Sequence, residues 1–230
     1  MKWCCRYSYQ HCTKLFPVSE SLLETENDYA FEVRKQIGLY KSFPSHNFQY
    51  TIVSNGFDSG FWSRRNEAKQ AYTFLTVSGA NGFHLKGLDL IFQAASHFKD
   101  YTFYVAGIGQ IPGAPENVNF LGFLNKEQLR QAYSKAQFYL QLSVWEGFGC
   151  ALCEAMLCEA IPIVSNVNVL PQLAGEKGYV LTKRNVEDLK KVIEKAVTNV
   201  ELDGSYFRKH ISDNYAIEDR IEQLIQLIYS

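Results

Sequence analysis

An alternation of two kinds of segment, which begins near residue 48, most constrains what this chain can fold into. Short runs of β-branched and aromatic residues alternate with stretches whose apolar residues recur at helical spacing, a pattern typical of a parallel sheet wrapped by helices. The predicted strands are FQYTIVS, FLTVSG, YTFYVAG, VNFLGFL, FYLQLS, IPIVSN and GYVLT. The predicted helices include GLDLIFQAASHF, KEQLRQAYSKA, VEDLKKVIEKAV, residues 206–210 and IEDRIEQLIQLIYS, and Asn125 with Gln128 is a candidate capping box for the second. We therefore expect an α/β fold with a doubly wound, Rossmann-like parallel sheet and flanking helices.

The first 47 residues fit this pattern poorly. They contain one strand-like piece, TKLFPVSE, a charged stretch at residues 20–39 that we predict to be helical, and the loop SFPSHN. Such a short region cannot build a second complete core. We predict three parts: residues 1–47 as the tail of another domain with a linker, residues 48–210 as the α/β domain, and residues 211–230 as a helix that packs back toward the N-terminal region.

Composition excludes several classes of protein. The net charge is −1 and no basic stripe is present, so nucleic acid is not an expected partner. The chain has no run of ~18 apolar residues that would span a membrane, and MKWCCRYSYQHC lacks the apolar core of a signal peptide. We therefore expect a cytoplasmic protein with reduced thiols.

The six cysteines form two groups. Cys150, Cys153 and Cys158 lie in a predicted apolar helix, where small buried hydrophobic side chains explain them. The alternative is a metal or redox pair at Cys150 and Cys153, but no second Cys/His pair at zinc-like spacing accompanies it. Cys4, Cys5, His11 and Cys12 make a poorer metal candidate, so no metal is expected.

Two glycine-rich loops are candidates for binding a phosphate. The loop GIGQIPG resembles a dinucleotide fingerprint but leads through prolines into another strand, whereas that fingerprint needs a helix to start at once. In EGFGCALCEAM, by contrast, Gly147 and Gly149 precede a predicted helix, whose first amides (residues 149–152) would face a ligand over the sheet edge. We favour this second loop as the phosphate cradle.

Glu146 and Glu154 lie eight positions apart, on either side of this turn. A carboxylate at Glu154 can accept hydrogen bonds from two vicinal hydroxyls, such as those of a ribose, and Glu146 can accept hydroxyls at the other end of the ligand. The spacing therefore suits a molecule with a central diphosphate and a polyol at each end. The alternative is that Glu154 only offsets the helix dipole and that Glu146 is a solvated rim residue.

Four stretches, in this order, resemble the retaining GT-B glycosyltransferases: VSNGFD, SGANGFHLKGLDLIFQA, VNFLGFLNKEQLRQAYSKA, and EGFGCALCEAM followed by IPIVSN. This large family includes bacterial lipopolysaccharide and capsule sugar transferases and sucrose synthases. The resemblance implies the C-terminal, nucleotide-sugar-binding half of a GT-B fold with a remnant of the N-terminal acceptor domain. It implies metal-independent hexosyl transfer, with retention, from a nucleoside-diphosphate sugar to a saccharide or lipid-linked acceptor, no cofactor, and a place in polysaccharide biosynthesis.

The resemblance also assigns roles to individual residues. The catalytic pair would be Glu146, on the donor sugar hydroxyls, and Lys86, which would neutralise the diphosphate as the leaving group forms. Glu154 would bind the ribose. The other donor-binding residues would be Phe148 and Gly149 against the sugar and phosphates, Cys150, Ala151 and Leu152 at the start of the helix, Gly79 at the end of the first strand, and Gly122, Phe123 and Leu124, whose backbone would face the base.

Two departures from the family pattern bear on these roles. Ala80 and Asn81 follow Gly79, where the family usually has an arginine, so Lys86 would carry the charge alone unless Arg64 or Arg65 assists. The chain also holds only the last elements of the acceptor half, as expected for a truncated product or for one part of a split enzyme.

Rival functions follow from the second departure. One is a non-catalytic nucleotide-sugar-binding module that works with a separate acceptor domain or as a homo-oligomer. Another is a sugar-nucleotide epimerase, for which no acid and base residues are evident. Peripheral association with the inner membrane face is an alternative to a purely cytoplasmic location.

Overall fold

The computed structural model describes residues 7–9, 11–26, 28–29, 36–79, 82–199 and 202–229. Within them, six parallel strands form one sheet in the order β5-β4-β3-β6-β7-β8. Their bounds are β3 Gln70–Val77, β4 Thr102–Ala106, β5 Val118–Gly122, β6 Ala136–Gln141, β7 Ile161–Ser165 and β8 Tyr179–Leu181. A separate antiparallel pair consists of β1 Thr25–Glu26 and β2 Gln36–Ile37. The predicted Rossmann-like parallel sheet is confirmed.

The helices of the described residues are α1 Leu39–Ser42, α2 Gly82–Leu85, α3 Leu88–His97, α4 Lys126–Lys135, α5 Cys150–Leu157, α6 Leu170–Ala174, α7 Val186–Thr198, α8 Gly204–Asn214 and α9 Ile217–Tyr229. The predicted capping box is present at α4, where Asn125 accepts from the Gln128 amide and Gln128 accepts from the Asn125 amide, each at 2.9 Å. Helices α4, α5 and α8 pack together on one face of the sheet, and α3 with α7 covers the other.

The centre of the core is a row of aromatic rings across three neighbouring strands. Phe74 of β3 is fully buried and stacks on Phe103 of β4 and Phe138 of β6, each with ring centroids 4.9 Å apart. Burial of such rings is the dominant favourable term of folding, so the central strands are the most strongly held part of the fold.

The strand order indicates where a ligand-binding crevice is expected. The chain builds β3, β4 and β5 outward in one direction and then returns to place β6 on the other side of β3. In open α/β sheets, ligands bind at such a reversal, outside the carboxyl ends of the strands. The loops that follow β3 and β6 therefore meet at this crevice.

Two predictions for the N-terminal quarter are wrong. Residues 48–54 form no strand of the main sheet; instead Leu15 and Val53 donate backbone hydrogen bonds to Gln49 and Pro17 in a short parallel pairing. The predicted helix at residues 20–39 is absent from its described part, which holds the 3₁₀ turn Glu20–Leu22, β1 and β2. Gly38 is incompatible with a continuous helix here, because its φ of 137° is not helical. It also lies so close to the Leu23 carbonyl oxygen that only a glycine fits. The rest of that stretch lies outside the described residues.

The final helix α9 contacts the segment before β3. Arg220 donates to the carbonyl oxygen of Val53 at 3.1 Å, and Gln223 donates to that of Ile52 at 3.2 Å. The division at residues 47 and 210 itself stays a prediction. Among the residues described, none of the helices is both long and apolar enough to cross a bilayer.

Candidate functional site

The crevice brings Lys86 and Glu146 together from loops 60 residues apart. Lys86 follows β3 and Glu146 follows β6, and a close contact between their loops fixes the pairing. Gly87 has φ 75°, and a β-carbon there would lie 2.5 Å from the Leu142 carbonyl oxygen, so the approach requires glycine. Next to it, the amide of Val144 donates to Leu85 O at 3.0 Å. The result is an ion pair between Lys86 Nζ and Glu146 Oε1.

The Glu146 carboxylate is held on one oxygen only. Besides Lys86, Gln141 Nε2 and Ser143 Oγ donate to Oε1, at 2.6 and 2.7 Å. The Glu146 side chain is 12% exposed, so these bonds lie in a partly desolvated site where they are stronger than in water. Among the described residues no bond falls on Oε2, which leaves that atom as the acceptor available to a ligand hydroxyl.

A buried polar layer supports this carboxylate. Tyr139 donates to Gln141 Oε1 at 3.1 Å, and Ser165 Oγ on β7 donates to the Ser143 carbonyl oxygen at 2.6 Å. All four side chains in this layer are buried. Sequence analysis missed Gln141, Ser143 and Ser165 as site residues. The available signal was the presence of polar residues at the carboxyl ends of otherwise apolar strands.

The turn before α5 is the place where the sequence predicts a phosphate cradle. Gly149 has φ 106°, and a β-carbon there would come within 2.8 Å of Leu170 Cδ2. The amides of Cys150 and Ala151 lie in the first turn of α5, where helix amides carry partial positive charge. The amide of Leu152, however, already donates to Gly149 O at 3.0 Å. This corrects the prediction that the Leu152 amide is available to a ligand.

The side chains around this turn divide into buried and exposed ones. Phe148 is 4% exposed and packs against the rings of Phe57 and Tyr215, with centroids 6.2 and 5.7 Å apart. The Leu152 side chain is also buried in the core. Both side chains therefore hold the turn from behind, and the burial of Phe148 corrects the prediction that this residue lies against the sugar and phosphates. Ala151 is half-buried.

Of the three cysteines, Cys153 and Cys158 are buried as predicted, but Cys150 is exposed at the turn. The thiol of Cys150 accepts a hydrogen bond from Asn55 Nδ2 at 3.3 Å. Desolvation raises the pKa of Cys150, so the thiol is the favoured form and a weak nucleophile. Its position suits contact with a ligand better than covalent chemistry.

Glu154 lies one helical turn further along α5. Tyr133 donates to Glu154 Oε2 at 3.3 Å from α4. Burial raises the pKa of Glu154 to about 7, although the Tyr133 hydrogen bond and the charge of Lys126 act in the opposite direction. The carboxyl therefore titrates near neutrality, and a partner that donates hydrogen bonds favours its ionised form.

The remaining predicted residues lie at the carboxyl ends of β3 and β5. Gly79 is exposed after β3, and Gly122, with φ 64°, accepts from the Gly107 amide at 2.7 Å. Phe123 is 88% exposed. Leu124 lines a groove of about 360 Å³ beside α4. In the described part of the chain no hydrogen bond joins these residues to the Glu146 cluster. Ala80 and Asn81 lie outside the described residues.

Comparison with known proteins identifies the family. A family model described as "Glycosyl transferases group 1" matches residues 60–209, which is most of the chain. The chain belongs to this family. The predicted site residues, from Gly79 to Glu154, all lie within the matched segment.

Two curated relatives illustrate the likeness of this chain to other members of the family. The chain is 33% identical over 90 residues to the serotype-specific mannosyltransferase WbdA of Escherichia coli. This aligned region covers 39% of the chain and 11% of the relative. The chain is 26% identical over 197 residues to the phosphatidylinositol N-acetylglucosaminyltransferase GPI3 subunit of Saccharomyces cerevisiae, covering 76% of this chain and 43% of the relative. The matched region thus spans less than half of either relative.

Solved structures share the fold. Sucrose-phosphate synthase of Thermosynechococcus elongatus superposes with a TM-score of 0.79 at 17% identity, over 99% of this chain and 60% of the other. Anabaena HepE, solved with UDP and glucose, gives a TM-score of 0.78 at 14% identity, over 100% of this chain and 66% of the other. With the sheet described above, these matches confirm the predicted fold class, the Rossmann-like C-terminal half of a GT-B architecture.

The group 1 chain does not use Arg64 or Arg65 to support Lys86. Arg64 pairs with Glu159 at 3.1 Å. Glu159 lies just beyond the C-terminal end of α5, whereas Gly149 precedes its N-terminal end. Arg65 pairs with Glu127 in the first turn of α4. Both guanidinium groups pair with carboxylates outside the Lys86–Glu146 cluster, so no contact among the described residues supports a role for either beside Lys86.

Proposed function

We propose that this chain is the donor-binding part of a retaining glycosyltransferase that moves a hexose from a nucleoside-diphosphate sugar to a saccharide or lipid-linked acceptor. The observation that carries the proposal is the grouping of the Lys86–Glu146 pair with the glycine turn that starts α5. The printed names of relatives add support, since they include mannosyltransferases and an N-acetylglucosaminyltransferase subunit. Polysaccharide biosynthesis is the proposed process because one relative is named an O-antigen chain mannosyltransferase.

The donor diphosphate would bind over the first turn of α5. Amides of Cys150 and Ala151 offer hydrogen bonds and the positive end of the helix dipole, which together favour an anion. Lys86 is 32% exposed and can swing from Glu146 toward the phosphates. This positive charge would stabilise the leaving diphosphate, and the proposed mechanism therefore needs no metal ion.

The two glutamates would bind the two ends of the donor. Glu154 would accept the ribose hydroxyls, whose donation favours its ionised form. Glu146 would accept a sugar hydroxyl on Oε2 while Gln141 and Ser143 keep Oε1 fixed. Because Glu146 keeps two donors when Lys86 turns to the phosphates, its carboxylate stays oriented during the reaction.

In the transfer step, the bond from the anomeric carbon to the diphosphate oxygen breaks, and a bond to the acceptor oxygen forms on the same face of the sugar. The acceptor hydroxyl proton passes to the departing phosphate oxygen, so the products are a glycosylated acceptor and a nucleoside diphosphate. Holding the acceptor hydroxyl beside the anomeric carbon on that face can account for ~7–11 kcal/mol of the barrier lowering. A separate acceptor domain or a second copy of the chain would complete that alignment, in the cytoplasm or at the inner membrane face.

Calorimetry with UDP, GDP and ADP tests the proposal. Glu154→Ala should weaken binding by ~1.5–3 kcal/mol, as expected for hydrogen bonds to a charged group. Glu159→Ala is the matched control, because it removes the same side chain at the opposite end of α5, where Glu159 pairs with Arg64. If Glu154→Ala binds all three nucleotides as tightly as the parent does, the ribose role is wrong.

Turnover separates the enzyme from a binding module. Release of free nucleotide from a nucleotide sugar is measured with and without a saccharide acceptor, and with the acceptor domain supplied separately. Acceptor-dependent release identifies a transferase. Binding of nucleotide sugars without release under any of these conditions would support the non-catalytic module instead.

A further inference from the structure

A nearly buried ion pair lies behind the loop that carries Lys86. Arg184, in the loop between β8 and α7, donates from Nη2 to both carboxylate oxygens of Asp89, each at 2.7 Å. Asp89 lies in the first turn of α3, just after Lys86. The side chains of Arg184 and Asp89 are only 16% and 14% exposed. The pair therefore joins the loop after the edge strand β8 to the start of α3 through charge-assisted hydrogen bonds that are largely shielded from water.

The same nitrogen of Arg184 also holds the residues before Lys86. Arg184 Nη2 donates to the carbonyl oxygen of His84 at 3.3 Å, and the His84 ring nitrogen Nδ1 lies 3.2 Å from Asp89 Oδ2. The Lys86 amide donates to the carbonyl oxygen of Gly82 at 2.7 Å, at the other end of α2. The backbone on both sides of Lys86 is thus tied to one arginine.

Arg184 occupies this position at a cost. Its Nε is buried and has no hydrogen-bond partner among the described residues. A buried donor without a partner is unfavourable, and a buried ion pair often adds little net stability compared with well-packed apolar side chains. Stability alone therefore explains the Arg184–Asp89 pair poorly, whereas a requirement to fix the geometry of the neighbouring loop explains it well.

We propose that Arg184 is a positioning residue for Lys86. On the β6 side the loop is already fixed, because Gly87 lies against Leu142. Arg184 supplies the second restraint, on the β8 side. A backbone held from both sides limits the positions that the Lys86 ammonium can take as it turns from Glu146 to a diphosphate, so less freedom is lost on binding. The proposal rests on the proposed function, because the position of Lys86 matters only when a diphosphate occupies the donor site.

Calorimetry with UDP and GDP, each compared with its nucleoside, measures the proposed effect. Arg184→Met removes the charge and the donors, and it should weaken diphosphate binding about tenfold, a loss of the order of one hydrogen bond to a charged group. Binding of the nucleoside should stay the same. Arg184→Lys should restore part of the loss, because one nitrogen makes all of these bonds and a lysine ammonium offers three donors.

Arg208→Met is the matched control, because Arg208 also ties backbone carbonyl oxygens together but lies on α8, on the opposite face of the sheet from α3. The carbonyl oxygens that it holds are those of Ser59, Trp62 and Leu157. The control should keep the parental ratio of diphosphate to nucleoside affinity. Since Arg184→Met leaves the Asp89 carboxylate without its partner, Asp89→Asn is combined with it in a second variant, and urea denaturation shows that each protein is folded. This second variant should show the same selective loss.

A double-mutant cycle separates positioning from a general structural role. In the Lys86→Ala background, Arg184→Met should cause little further loss of diphosphate affinity, because the group that it positions is gone. A full additional loss in that background, an equal loss for the nucleoside, or a parental ratio in the folded Arg184 variants would overturn the inference while leaving the proposed function intact. If the parent binds neither UDP nor GDP, the proposed function fails and the inference fails with it.

Discussion

Replacing Gln141 with leucine should selectively weaken recognition of the donor sugar. Gln141 Nε2 donates to Glu146 Oε1 at 2.6 Å and is 5% exposed, so leucine removes a nearly dry hydrogen bond to a charged group. Such bonds contribute ~1.5–3 kcal/mol. Because Ser143 still holds the same oxygen when Lys86 turns to the phosphates, we expect the lower end of that range, about a tenfold loss at ~1.4 kcal/mol per factor of ten.

Calorimetry of a nucleotide sugar and of its free nucleotide measures this effect as a ratio of affinities. The affinity for the nucleotide sugar, divided by the affinity for the free nucleotide, should fall in Gln141→Leu. Binding of the free nucleotide itself should stay the same. Gln137→Leu is the matched control, because Gln137 lies on the same strand and its Oε1 accepts from the Tyr72 amide at 2.8 Å. A Gln141→Leu protein that keeps the parental ratio, when Glu146→Gln loses it, would refute the positioning role.

The same substitution also has a cost in stability. Tyr139 is fully buried and donates to Gln141 Oε1 at 3.1 Å, so leucine leaves its hydroxyl without this acceptor. An unsatisfied buried polar group costs ~1–3 kcal/mol of the free energy of unfolding. Urea denaturation gives that cost directly and shows whether the variant is folded under the conditions of the binding assay.

Three further predictions concern charged groups. Lys86→Ala should weaken binding of a nucleoside diphosphate far more than binding of the nucleoside, and equal losses by calorimetry would mean that Lys86 only holds structure. Burial raises the pKa of Glu154 to about 7, so the folded state binds the carboxyl proton more tightly than the unfolded state does. The free energy of unfolding should therefore fall as pH rises from about 4.5 to about 7. Glu154→Gln should remove that decline in urea denaturation, and an unchanged pH profile would contradict the assignment. Lys69 Nζ donates to the carbonyl oxygens of Tyr133, Ala136 and Cys158 at 2.8 to 2.9 Å. Lys69→Met should therefore lower the free energy of unfolding by ~3 kcal/mol in urea denaturation. A loss under ~1 kcal/mol would show that these bonds contribute little.

The sequence by itself determined the parallel sheet and the candidate residues at its carboxyl edge. Apolar runs, helical periodicity and glycine turns are local signals, so the six strands of the main sheet could be predicted close to their observed bounds. The same local reading failed at residues 20–39, where β1 pairs with β2 and Gly38, with a non-helical φ of 137°, lies against Leu23. Glu146, Glu154 and Lys86 could be singled out because each lies beside such a turn or in a family-like motif.

Only the tertiary structure decided how those residues are arranged. The pairing of Lys86 with Glu146 depends on which strands flank the reversal of strand order, and no spacing in the sequence specifies that order. The role of Gln141 beneath Glu146 depends on what packs around it. The raised pKa of Glu154 depends on the burial of its carboxyl in the folded chain. Burial and hydrogen-bond satisfaction are properties of neighbours in space, and neighbours in space become known only when the whole chain is folded.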